Sequence, residues 1–282
     1  MTWLFLSLIS VAFFTTLNLL QRVISVKGKN WRAQSFLYSG YATVISVALF
    51  LTSGGLKNFS VPQDLYPWLA AVIACVFYGL FERFRFKVAR SMEASVYSPV
   101  SAFSGVVAFV AGTALYSESI TFVKVVGFIL IAGSLILASF ERGKKKATKG
   151  LQLALLTFSM LGLGWALDKK GAISFSPEFY NIIVWASGLL IISYPSLSKK
   201  EILGEVKIGS WKLILLALVN VAGYFLQLKA LTMADATRVV PIVQTTTIAT
   251  VILGIVLLKE RNRIPQKLLA GLLAVTGVIL LS

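Results

Sequence analysis

Apolar stretches long enough to cross a membrane follow one another along almost the whole of this 282-residue chain. Inside a bilayer no water is available to the peptide groups. An open sheet edge or a lipid-facing loop would leave N–H and C=O groups unpaired at several kcal/mol each, which leaves the helix as the sensible element. A hydrocarbon core about 30 Å thick takes roughly 20 helical residues. Stretches of that order lie near residues 3–21, 33–53, 66–82, 95–116, 120–140, 150–168, 178–197, 211–231, 236–258 and 264–282. An all-α membrane protein with ten transmembrane helices is expected. The short connectors leave no room for a soluble catalytic or regulatory domain, as the 57% hydrophobic and 13% charged composition requires.

The chain also resembles itself. Lys87, Ala94, Pro99, Gly112, Leu115 and Glu118 recur 142 residues later as Lys229, Ala236, Pro241, Gly254, Leu257 and Glu260. After a two-residue insertion Gly127 and Gly133 meet Gly271 and Gly277. The basic run ERGKKKATKG divides the halves, giving a first five-helix repeat at 1–140, a linker at 141–150 and a second repeat at 151–282. An odd number of spans per half makes the second half enter from the opposite side, so the repeats are expected to be inverted. Folds of this kind are typically transporters with a site between the repeats.

The net charge of +16 does not point to nucleic acid. Most of the 27 Lys and Arg residues fall in the connectors after spans 1, 3, 5, 7 and 9, the positive-inside distribution. It places those connectors in the cytoplasm and both termini outside. No Lys or Arg precedes the first span, whereas Arg22, Lys27, Lys29 and Arg32 follow it, the reverse of a cleavable signal peptide. One cysteine, Cys75, excludes an intrachain disulfide. The absence of histidine removes Ser-His-Asp and Cys-His nucleophiles and His-based zinc sites, so neither an enzyme nor a metal or cofactor site is expected.

The two repeat segments resemble the drug/metabolite transporter superfamily, in particular its ten-span EamA-like family. The second half carries the pattern as KALTMADATRVVPIVQTTTIATVILGIVLLKER at 229–261 and AGLLAVTGVILL at 270–281. The first half carries it as KVARSMEASVYSPVSAFSGVVAFVAGTALYSES at 87–119 and GFILIAGSLIL at 127–137. Two features depart from it. Basic residues crowd the connector after span 3, ERFRFKVARSM at 82–92, rather than the one after span 2, and the charge count places the termini outside, whereas members are often drawn with cytoplasmic ones. The resemblance implies a carrier and leaves the substrate open, because the superfamily handles amino acids, nucleotide sugars, sugar phosphates, drugs and lipid-linked species.

Polar residues inside apolar spans are costly, so they tend to face the bundle interior or a water-filled cavity. Tyr78, Glu82 and Arg85 share one face of the third span at i, i+4 and i+7. Their repeat partners are Asn220, Tyr224 and Gln227, and the two faces are expected to meet across the centre. The competing reading makes Glu82 and Arg85 an ion pair at the membrane surface. Asn18, Gln21 and Trp165 would line the cavity in the family's arrangement. Tyr97, Ser101, Gln244 and Thr245 complete the substrate candidates. Without histidine, proton coupling would fall to Glu82 or Asp168, opposed by their basic neighbours. Pro99 and Pro241, one turn into their spans, either start helices or unwind them locally.

The expected function is a secondary transporter, in a prokaryotic inner membrane, moving small polar metabolites such as amino acids by alternating access in the direction of export. Its partners are the small-molecule substrate and the lipid bilayer, and it acts as a monomer or homodimer. The alternative is a carrier of anionic phosphorylated substrates, using Arg22, Arg85, Lys87, Lys169, Lys229 and Arg238, or a flippase of lipid-linked substrates on the same fold.

Overall fold

The computed structural model describes residues 2–57, 59–116, 120–139, 145–231, 233–234, 239 and 242–281. Regular structure among them is entirely helical. The helices are α1 (Trp3–Lys27), α2 (Trp31–Thr52), α3 (Leu65–Ser91), α4 (Ala94–Ser101), α5 (Phe103–Tyr116), α6 (Phe122–Ser139), α7 (Lys145–Ser174), α8 (Pro177–Ser193), α9 (Lys199–Leu231), α10 (Thr246–Leu257) and α11 (Ile264–Leu281). Seven helical segments are long and apolar enough to span a membrane, α4 and α5 counting as one. The segments Phe122–Ala138, Pro177–Ser193 and Ile242–Leu257 are apolar but shorter. Each of the ten expected stretches therefore carries a helix, and the chain is an integral, multi-pass membrane protein.

Several helices outrun their apolar stretches. α3 continues ten residues past Phe81 before Met92 takes extended angles, because nothing from Glu82 to Ser91 is a helix breaker. Its last carbonyls are not left orphaned: Arg22 of α1 donates to Ala89 O at 3.0 Å and to Arg90 O at 2.8 Å. Arg32 and Arg83 do the same for α8, reaching Ile192 O at 3.0 Å and Ile191 O at 2.8 Å. Basic residues counted as topogenic thus also cap helix C-termini, where the dipole favours cations. α7 begins at Lys145, inside the segment read as linker. α9 begins at Lys199 and leaves helical angles at Gly209, separating a polar arm from the apolar span.

The helix through Pro99 tightens just beyond it. Proline removes a backbone donor within the helix, and α4 ends at Ser101, two residues on, with α5 starting at Phe103. Between them Ala102 N donates to Pro99 O at 3.2 Å and Ser101 Oγ to Ser98 O at 2.7 Å. A similar turn precedes α10, where Thr245 N and Oγ1 both donate to Ile242 O, at 3.0 and 2.6 Å. Pro99 lies inside α4 and the helical path tightens at Ala102, whose backbone keeps α-region angles; Pro241 lies outside the described residues.

Packing follows small residues. A Cβ added at Gly162 of α7 would fall 2.4 Å from Ser104 O, so α5 and α7 touch backbone to side chain only because the glycine is there. Serines tie other pairs: Ser10 Oγ donates to Gly223 O at 2.9 Å between α1 and α9, and Ser134 Oγ to Ala270 O at 2.8 Å between α6 and α11. The neighbours exchange in an orderly way. α1 packs on α9 and α7 packs on α3; α2 packs on α9 and α8 on α3; α2 pairs with α8, and α6 with α11. Glu260 caps α4 from a distant part of the chain: it accepts Ala94 N at 2.8 Å and Ser95 N at 2.9 Å. Its repeat mate Glu118 lies outside the described residues.

Candidate functional site

A charged group deep in a membrane bundle needs partners for every donor it carries. Arg85 of α3 is 4% exposed and Glu82, one turn earlier, 6%. Arg85 Nη1 donates to Glu82 Oε1 at 2.8 Å and to the Tyr38 hydroxyl at 2.8 Å, and Arg85 Nε donates to Gln21 Oε1 at 2.7 Å. Gln21 in turn donates through Nε2 to the Tyr97 hydroxyl at 3.2 Å, and Asn220 Nδ2 donates to the Tyr38 hydroxyl. The guanidinium also lies 4.9 Å from the centroid of the Tyr38 ring and 5.7 Å from that of Phe81, within cation–π range. One cluster thereby joins α1, α2, α3, α4 and α9. The buried charges balance, but Glu82 Oε2 is left without a hydrogen-bond partner.

Local sequence explains the convergence. The i, i+3 spacing of Glu82 and Arg85 puts them on one face of α3, and the continuation of α3 to Ser91 keeps that face inside the bundle. The surface ion pair considered from sequence forms as a pair, yet buried. Tyr38 sits at the hub because its ring packs edge-on against Phe86 and Trp185, with centroids 5.5 and 5.6 Å away, leaving only the hydroxyl free to turn toward α3.

Of the residues singled out from sequence, Gln21, Glu82, Tyr97 and Asn220 meet in this cluster. Tyr78 is buried one turn before Glu82, among Ala74, Cys75, Phe175 and Tyr180, with Gly164 against its ring. Asn18 is half-buried and donates to Thr250 Oγ1 at 3.2 Å, linking α1 to α10. Tyr224, Gln227 and Gln244 are half-buried. Ser101 bonds its own turn, as does the exposed Thr245. Trp165 is 39% exposed, and the Asp168 side chain lies outside the described residues. Arg22, a candidate for an anion-attracting mouth, is committed to the carbonyls of α3, while Lys87 is exposed over the Trp31 ring.

Tyr38, the hub, was not among the candidates. Its signal was the face Gln34, Tyr38 and Tyr41 at i, i+4 and i+7 in an apolar stretch. Asn181 and Trp185 of α8 are buried too, one turn apart, and were likewise missed.

The geometry defines a polytopic helical membrane protein with a buried, hydrogen-bonded charge pair at the junction of five helices. Residues 148–282 match the EamA-like transporter family, part of the drug/metabolite transporter superfamily. The family is one of drug/metabolite transporters. No curated protein matches the chain. Among solved structures, one described only as the crystal structure of a protein is similar in fold, with 16% identity and a TM-score of 0.61. The match covers 99% of this chain and 97% of that one.

Proposed function

We propose that the chain is a secondary transporter that moves small polar metabolites, amino acids or related compounds, outward across the membrane by alternating access. The observation that carries this reading is the buried cluster around Arg85, which draws on α1 to α4 of the first half and α9 of the second. A site made from both halves changes shape when they rock, as alternating access needs. A guanidinium and a carboxylate side by side complement the carboxylate and ammonium of a zwitterion.

Ten spans arranged as two inverted repeats are the framework of this reading. The exchange of neighbours supports it: swapping α1 for α7, α2 for α8 and α3 for α9 turns the α1–α9 contact into α7–α3, and α2–α9 into α8–α3, each of which exists. The matched turns after Pro99 and before α10 are the places where such a fold would bend. The basic connectors would face the cytoplasm of a prokaryotic cell.

Thermal stability of detergent-purified protein against amino acids, nucleosides, sugar phosphates, nucleotide sugars and lipophilic cations tests the substrate class. A ligand of the folded state alone at 100 times its Kd adds about 2.7 kcal/mol. Amino acids are expected to raise the melting temperature of the wild type and not of Asn220→Ala. Stabilisation confined to phosphorylated or lipid-linked compounds would overturn the reading.

A further inference from the structure

We propose that Asn181 and Trp185 of α8 form the side-chain-selecting half of the substrate site, and that the substrate is an α-amino acid whose side chain carries an amide or a hydroxyl. The inference rests on the carrier reading above, in which Glu82 and Arg85 meet the ligand's charged groups.

Asn181 is 0% exposed, and neither its amide nitrogen nor its amide oxygen has a hydrogen-bond partner. Trp185 is 6% exposed and its Nε1 is likewise unpartnered. The i, i+4 spacing sets the two on one face of α8, roughly 6 Å apart along the axis. Three unpaired polar atoms on one turn of a membrane helix are a standing cost that leucine or phenylalanine would not carry, since a buried donor or acceptor without a partner forfeits its full desolvation energy. A ligand that supplies the missing partners removes it.

This face adjoins the charged cluster. The Trp185 ring stands edge-on to Tyr38 at 5.6 Å, and the Tyr38 hydroxyl is the atom that Arg85 and Asn220 share. In the cluster itself Glu82 Oε2 is also buried and unpartnered. The polar groups therefore come in two sets. Glu82 and Arg85 suit an ammonium and a carboxylate. Asn181 offers one donor and one acceptor, with the Trp185 N–H beside them, and a single group answering both is an amide or a hydroxyl. An aliphatic side chain would leave all three atoms unpaired, the situation in which hydrogen-bonding sites discriminate most strongly.

The test is titration of detergent-purified full-length protein with L-glutamine and with L-norleucine, of similar length but apolar. Glutamine is expected to bind roughly ten-fold or more tightly than norleucine. Asn181→Leu should erase that preference by weakening glutamine alone, and Trp185→Phe, which keeps the ring and removes the N–H, should weaken glutamine several-fold. Equal weakening of both ligands in Asn181→Leu would make Asn181 a structural residue and overturn the inference. An unchanged preference would assign its atoms to bound water and overturn it as well. If amino acids bind in an Asn220-dependent way without favouring glutamine, this inference alone fails; if no amino acid binds the wild type while another class does, the carrier's substrate reading fails with it.

Discussion

Glu82→Leu is expected to destabilise the folded protein by about 3–5 kcal/mol, the usual cost of leaving one member of a buried ion pair uncompensated. Arg85 is 4% exposed, and its Nε and Nη1 donate to Gln21, Tyr38 and Glu82. Removing the carboxylate leaves those neutral partners to hold a full charge. The double change Glu82→Leu with Arg85→Leu should restore most of the lost stability, because replacing a buried pair by apolar groups of similar volume is often neutral or stabilising. Thermal or denaturant unfolding of the wild type, both single variants and the double variant gives the coupling directly. Both Glu82→Leu and the double variant should be inactive in transport, so recovery of stability without recovery of activity separates the two roles of the pair. If Glu82→Leu unfolds like the wild type, the pair contributes nothing to the fold and its burial has been misjudged.

The second large effect concerns two glycines that occupy the same place in the repeat. A Cβ on Gly277 would lie 2.6 Å from Ile131 Cγ1 and 2.8 Å from Gly127 O, where α6 and α11 cross. A Cβ on Gly133 would meet nothing within 4 Å. Gly277→Val must push the two helices apart, and overpacking of this kind costs typically 1–3 kcal/mol, with more expected where backbone stands in the way. Gly133→Ala should be neutral or add up to about 1 kcal/mol from helix propensity. Melting temperatures of the two variants should therefore move in opposite directions or differ by several degrees. The equivalence of Gly133 and Gly277 in sequence carries no information about this difference, since it comes from what stands opposite each one.

That contrast marks how far the sequence could be read. The positions of the helices were legible because apolar runs of membrane length admit little else. Their ends were not: Glu82 to Ser91 looks like a basic connector, and its helicity depends on Arg22 covering the last carbonyls of α3 from another helix. Glu82 and Asn220 could be named in advance because each is an expensive residue in an apolar span, Gln21 through the family resemblance, and Tyr97 among the polar residues of the fourth span. Tyr38 escaped because tyrosine is common in such spans, and only the convergence of Arg85 and Asn220 on one hydroxyl makes it the hub. The faces Tyr78, Glu82, Arg85 and Asn220, Tyr224, Gln227 were expected to meet across the centre. The second half reaches the cluster through Asn220, the repeat mate of Tyr78, while Tyr224 and Gln227 lie farther along α9.

Counterflow in proteoliposomes addresses the central claim most directly. Vesicles holding purified protein and loaded with unlabelled L-glutamine or another amino acid that stabilises it should accumulate the labelled amino acid transiently above equilibrium. Unloaded vesicles should not, because a carrier with one alternately exposed site exchanges faster than it moves net substrate. Folded protein that equilibrates label at the same rate with and without internal substrate, or that moves no amino acid at all, would contradict the account.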